Sequence, residues 1–305
     1  MAIQAEIWEK DIVSNLFKEN PFLNYCYNAD QYVVGGSVVH IPQAGAKPSV
    51  TKNRSSFPAT AVRRTDTDIT YALDVYSTDP TLITNAEEME ISYDKRQSVL
   101  EEHTQTLNET IGDEILYIWA PSVSGQIVRT TGGDVTAHVT SATGNRKKLL
   151  AADLKSAQKV MNKQNIPSRD RYAIIDAEMY DQLTSDSTLL TRDGVNGGEL
   201  NMKDGVVLKL AGFEIMMRAN VVRYTEASPP VKKTTSAAGA STDNGAALCW
   251  QKNSVERALG SVKFFENIND ALHYGNVYSA EVKFGGRIRR SGQEGVVAIV
   301  QAAGS

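Results

Sequence analysis

The most regular stretch of the chain is YDKRQSVLEEHTQTLNETIGDEILYIWAP, Tyr93 to Pro121, where Tyr93, Leu100, Thr104, Leu107, Ile111, Ile115 and Ile118 recur at three- and four-residue steps. That period places them on one stripe of an α-helix, so the pattern predicts a long helix with one buried face. Lys95, Glu102, Glu109 and Asp113 fall on the opposite face, and the Ala120-Pro121 pair stops the run, because a residue before proline is pushed out of the helical region. At about 1.5 Å per residue, Tyr93 to Trp119 spans roughly 40 Å, longer than the usual three turns. Asn85 and Glu88 resemble a capping box, which leaves two starts open: one at Asn85 and one after a break near Ser92.

Elsewhere the periods are shorter. Ile7, Trp8, Ile12, Val13, Leu16 and Phe17 share one side of a helical wheel, so the first twenty residues read as an amphipathic helix closed by NPF, an arm that needs a surface to lie on. YVVGGSVVHIP and ITYALDVYST read as two strands joined by a long polar loop, an extended hairpin over 31–81. A second amphipathic helix is predicted from Leu150 to Gln164, with Leu150, Leu154, Ala157, Val160 and Met161 inward. RYAIID (strand), AEMYDQLTSD (helix), GVVLKLAGFEIMMRANVV (strands about a glycine turn), AALCWQ (strand) and NSVERALG (helix) then alternate as one compact α/β region. Glu226 to Ala246 is polar and of low complexity, and reads as a mobile surface tip. The chain closes on a long alternating strand, a turn, and a final apolar strand within GNVYSAEVKFGGRIRRSGQEGVVAIVQA.

Composition narrows the function more by exclusion than by pointing. Hydrophobic residues make up 41% and charged residues 22% of the 305, an ordinary globular balance with enough apolar residues for a sizeable core. The net charge of -4 argues against a dedicated nucleic-acid binder, so any DNA contact is expected to be local and non-specific. The first twenty residues lack a basic leader followed by an apolar run, and no apolar run approaches the roughly 20 residues of a membrane span; the expectation is an intracellular chain with no membrane partner. Cys26 and Cys249 stand alone, without ligand spacing to any histidine, and read as buried free thiols.

Catalysis needs convergent groups, and none is legible. The four histidines, His40, His103, His138 and His273, show no metal-ligand spacing. TTGGDVTAHVTSATG lacks the lysine and hydroxyl of a phosphate loop, and no GxSxG elbow occurs. The carboxylate pairs Glu87/Glu88, Glu101/Glu102 and Asp113/Glu114 are adjacent on helices, so their side chains diverge by about 100°. No catalytic residue, cofactor or metal is expected.

Charge distribution says more. From Pro42 to Thr65 there are five bases, Lys47, Lys52, Arg54, Arg63 and Arg64, and no acid; from Ala86 to Ala120 there are nine acids against Lys95 and Arg96. A two-stranded ribbon is marginal in water by itself, so the basic hairpin must lie on another surface, and the acidic face of a neighbouring copy's long helix (Glu102, Glu109, Asp113) would fix its register. Arg287, Arg289 and Arg290 form a further basic cluster whose partner, genome or another subunit, stays open.

This order of parts, carried by the long-helix stretch, RYAIIDAEMYDQL, LKLAGFEIMMRANVV and ALCWQKNSVERALG leading to the final strands, resembles the major capsid proteins of tailed bacteriophages with the Hong Kong 97-like fold. The resemblance covers nearly the whole chain and rests on order and spacing, with no catalytic motif in it. It implies an α+β fold divided into an N-terminal arm (1–30), an E-loop hairpin (31–81), a peripheral domain with a spine helix (82–148), an axial domain (149–270) and return strands of the peripheral domain (271–305). It also implies pentamers and hexamers assembling into a shell around double-stranded DNA inside the host cytoplasm, with a portal. The E-loop bases, together with Trp8 and Phe17 of the arm, would touch neighbouring subunits. The arm starts close to Met1, which points to a separate scaffolding protein, and a Lys47, Lys52 or Asn53 isopeptide cross-link is not expected. An encapsulin-like nanocompartment shell and an α/β enzyme with an unrecognised site are the alternatives.

Overall fold

The structure is a computed structural model, and it describes residues 2–43, 52–55, 67–84, 95–186, 200–201, 206–207 and 209–304. The predicted helix is present as Lys95–Trp119, 25 residues long (α2, after an N-terminal helix α1, Ala2–Glu19). Its burial follows the helical period: Val99, His103, Thr104, Leu107, Asn108, Ile111, Ile115, Leu116 and Trp119 are buried, while Glu101, Glu102, Gln105, Thr106, Glu109 and Thr110 are exposed. Ile118 is only partly buried, and Tyr93, Asn85 and Glu88 lie outside the described residues. Past Trp119, the ammonium of Lys232 donates to the carbonyls of Tyr117 and Ala120, both at 2.9 Å. A cation there satisfies the Ala120 carbonyl, adds a second donor to the Tyr117 carbonyl, which already accepts from Ala120 N at 3.2 Å, and opposes the negative end of the helix dipole.

The compact body is built on a central sheet. Strand Asn244–Gln251 carries Arg171–Asp176 antiparallel on one edge, with Val222–Tyr224 further along that edge, and Val296–Val300 antiparallel on the other. Phe213–Arg218 lies parallel outside Arg171–Asp176, and Ile127–Arg129 parallel outside Val296–Val300. Alternate residues separate two cores. Tyr172, Ile174, Leu248, Trp250, Val296 and Ala298 face α2 and the N-terminal segment. Ala173, Ile175, Ala247, Cys249, Val297 and Ile299 face helices α3 (Ala151–Lys163) and α4 (Ala177–Thr184). A sheet covered on both faces explains why VVAIV is a continuous apolar run.

The second large element is a ribbon of two long antiparallel strands, Val255–Asp270 and Gly275–Ile288, edged by Asp74–Ser77 and Thr81–Thr84. It differs from the sequence reading in two ways. NSVERALG is strand, not helix: after a 3-10 turn at Lys252–Ser254, the register Val255↔Ile288 to Leu259↔Phe284 claims it for the ribbon. The apolar strand Val296–Val300, expected among the peripheral return strands, lies instead at the centre of the other sheet.

The hairpin root forms as expected, with Val38–Gln43 antiparallel to Thr67–Ala72, Val33–Val34 completing a separate three-stranded sheet. The N-terminal helix already has a surface within the chain to lie on: Ile12 and Leu16 are buried in the main core against α2 and the ribbon. The tip expected to be mobile, Glu226 to Ala246, is also tied down. Lys232–Lys233 pairs with Val222–Tyr224, the Lys233 ammonium lies 2.7 Å from the Asp243 carboxylate, and Arg146 donates to the carbonyls of Ser241 (3.0 Å) and Asp243 (3.1 Å).

Candidate assembly interface

The candidate site residues divide by what they touch. Glu102 and Glu109 stand exposed on the solvent face of α2, joined by Glu101. Asp113 differs from them: it is half-buried and paired with Arg218 at 2.8 Å. Burial raises the Asp113 carboxyl pKa while Arg218 pulls it back, and burial lowers that of Arg218. Of the three acids expected on this face, Glu102 and Glu109 are exposed and Asp113 is held in a pair within the chain.

On the hairpin, Lys52 and Arg54 are exposed beside Asn53, whose φ of 52° marks a turn. Lys47, Arg63 and Arg64 lie outside the described residues. Trp8 and Phe17 are used internally: the Trp8 ring lies 6.4 Å from that of Phe264, and the guanidinium of Arg257 sits 4.2 Å above the Phe17 ring. An amphipathic helix needs its apolar face covered, and here the chain's own ribbon covers it.

Two members of the basic cluster at the end of the ribbon have a partner within the chain. The Arg287 side chain donates to the Glu256 carboxylate at 2.5 Å, and Arg289 lies 3.1 Å from its other oxygen. Glu256 is completely buried. Sequence reasoning flagged the bases and missed their counter-charge, which stands opposite Arg287 in the ribbon register but 31 positions away along the chain. Arg218 and Lys232 were missed for the same reason. A lone cation ending an apolar strand or starting a polar loop gives no sign of what it will meet.

Among the hollows that border α2, two matter for the contact surface and the helix end. A groove of about 550 Å³ runs between Val75–Thr81 and the helix, lined by Asp79, Glu102, His103 and Thr106. A cleft of about 390 Å³ near the helix end is lined by Tyr117, His138, Asp176, Arg223 and Lys233. In the cleft, His138 Nε2 meets Asp176 at 2.9 Å, and Asp176 also caps α4 by accepting from Met179 N at 2.7 Å. Burial works to lower the His138 pKa, but the Asp176 hydrogen bond and the charges of Asp176 and Glu178 outweigh it and leave it raised. His103 reaches Thr81 Oγ1 at 2.9 Å, and burial lowers its pKa. Among the described residues no group of three or more His, Cys, Asp or Glu is placed to hold a metal, and no helix is long and apolar enough to cross a membrane. Burial pushes both cysteine thiols up to about 12, which leaves them un-ionised.

A long amphipathic helix, a two-faced central sheet, an extended ribbon and a separate hairpin make up the fold. Solved structures agree on the fold. The capsid of cyanophage P-SCSP1u is 21% identical, with 92% of this chain and 87% of that chain covered and a TM-score of 0.68. The Mycobacterium phage Che8 structure is 17% identical, with 91% and 90% covered and a TM-score of 0.63. A virus-like particle from Pyrococcus furiosus is 11% identical, with 97% and 99% covered and a TM-score of 0.53. No curated protein matches by sequence. The sequence model of the phage capsid protein family matches residues 29–301, and the chain belongs to that family. It is a major capsid protein, a structural component of the virion shell.

Proposed function

We propose that the subunit assembles through pentamers and hexamers into a closed head shell around double-stranded DNA, with a separate scaffolding protein and a portal, in the host cytoplasm. The basic hairpin of one copy lies across the acidic face of the neighbouring copy's α2. The observation that carries the reading of this contact is charge: Glu102 and Glu109 are exposed together on one helix face, while 42–65 holds five bases and no acid. Complementary charge of this kind fixes register and speeds encounter more than it adds affinity. The groove of about 550 Å³ beside that face, with Asp79 and Glu102 on its walls, gives the hairpin a concave seat.

In this reading the N-arm, E-loop, peripheral and axial parts keep the roles the resemblance assigns them. The N-terminal helix packs its inner face on its own body, and the partly buried Trp8 and Phe17 leave surface for a neighbouring subunit. The role is structural rather than enzymatic. The test is a charge swap. Arg63→Glu with Arg64→Glu should lower particle yield at physiological salt without changing subunit stability, and adding Glu102→Arg with Glu109→Arg should restore it. Undiminished yield from the first pair, or no recovery with the second, overturns the hairpin-on-strut contact.

A further inference from the structure

The hairpin leaves the body at a narrow place. Thr67–Ala72 belongs to the hairpin sheet and Asp74–Ser77 to the ribbon, so a single residue, Leu73, separates two strands committed to different sheets. Among the described residues, the hairpin sheet shares no ladder with either large sheet. A small apolar cluster of Ala29, Val39, Ile41, Leu73 and Ala258 holds the root in place. Apolar contact is non-directional, so it anchors the root without setting an angle.

Directional contacts at the root include the Ser261 N–H donating to the Gly36 carbonyl at 3.4 Å and a charge cluster in which a buried Glu256 meets two partly exposed arginines. Glu256 is held between Arg287 at 2.5 Å and Arg289 at 3.1 Å. The Arg287 guanidinium lies 5.7 Å from the ring centroid of Tyr71, two residues before the bend, and that of Arg289 lies 4.1 Å from the ring centroid of Tyr27. The Tyr71 hydroxyl is itself buried. A planar guanidinium locked on one side by a carboxylate presents its face in a fixed direction, and an aromatic ring against that face inherits the orientation. Gly286 is what lets the ribbon close over the site, because a Cβ there would stand 2.5 Å from the Glu256 carbonyl oxygen.

We propose that Glu256, Arg287, Arg289 and Tyr71 form a positioning latch that sets the direction in which the hairpin leaves the body, and with it the span between neighbouring subunits. The latch's effect on the shell rests on the hairpin-to-neighbour reading above; its effect on the hairpin does not. The test uses the full-length unassembled subunit, with hydrogen exchange read separately over the hairpin strands and the ribbon, and the assembled particles, with diameters measured by electron microscopy.

Glu256→Gln keeps the volume and removes the charge, and Tyr71→Leu acts from the hairpin side without touching the buried pair. Both should speed exchange over 38–43 and 67–72 by about tenfold or more, leave 275–288 unchanged and broaden the particle diameters, since local opening has its own free energy. Arg287→Lys, which keeps the charge but not the flat face, should fall between them and the parent chain. Unaltered hairpin exchange in both variants overturns the latch, as does loosening of ribbon and hairpin to the same degree. If the parent chain forms no particles, the shell reading fails while the exchange comparison still decides the latch.

Discussion

Gly112 sits in the middle of α2, where glycine costs about 1 kcal/mol relative to alanine, so Gly112→Ala would ordinarily be expected to stabilise the strut. The surroundings reverse the sign. A Cβ at this position would lie 2.4 Å from Asn20 Oδ1 and 2.7 Å from an Arg218 guanidinium nitrogen. Arg218 is long enough to swing aside, at the expense of its 2.8 Å pair with Asp113. Asn20 is short and buried, and its amide donates to the Asn108 carbonyl at 2.9 Å, so displacing it leaves buried polar groups unpaired.

An orphaned buried group costs about 1–3 kcal/mol, and the strained pair adds a fraction more. Set against the gain of about 1 kcal/mol, the net expectation is a destabilisation of about 1–2 kcal/mol. Urea unfolding of the unassembled subunit measures it directly. Asn20→Ala should shrink the cost of Gly112→Ala to below about 0.5 kcal/mol, because the two share one contact. A Gly112→Ala subunit as stable as the parent, or additive effects in the double variant, would refute the close-approach argument.

Three further outcomes are expected. Leu107→Asp places a charge at a position 3% exposed; it should give no folded subunit, since losing the leucine side chain alone costs about 2–5 kcal/mol of a total near 5–15, and circular dichroism of the purified chain checks this. His138 is held with a raised pKa, so its charged form adds stability that is complete below its unfolded value of about 6.5 and is lost as pH rises through the folded value. The deficit of His138→Gln in urea midpoint should therefore be largest near pH 5.5 and shrink toward about pH 8. Leu272 and Tyr274 at the ribbon tip are 85% and 79% exposed, so Leu272→Ser with Tyr274→Ser should change subunit stability by less than about 0.5 kcal/mol yet reduce particle yield in sedimentation.

Local periodicity carried much of the fold. The α2 stripe from Thr104 to Ile115, the α3 face and the strands RYAIID and AALCWQ stand where their patterns put them. What failed depended on partners distant in the chain. Val255, Ala258 and Leu259 have helical spacing, but their cross-strand partners Ile288, Gly285 and Phe284 draw them into the ribbon, and strand preference is set by such neighbours. Amphipathicity in the first helix shows that a face must be covered without showing whose surface covers it. The polar 226–246 segment has loop composition, yet Lys232 and Lys233 each find a buried anion or carbonyl that no local pattern reveals. The exposed acids of α2 were legible because solvent leaves a period intact; the Asp113–Arg218 pair was not, because Arg218 arrives from another strand.

The claim that copies of this chain are built to close on one another is tested most directly by measuring the mass of the purified protein in solution, alone and with a scaffolding partner, by sedimentation across protein concentration and salt. Rings of five and six copies and megadalton shells are the predicted result. A discrete monomer or dimer under every condition would contradict it.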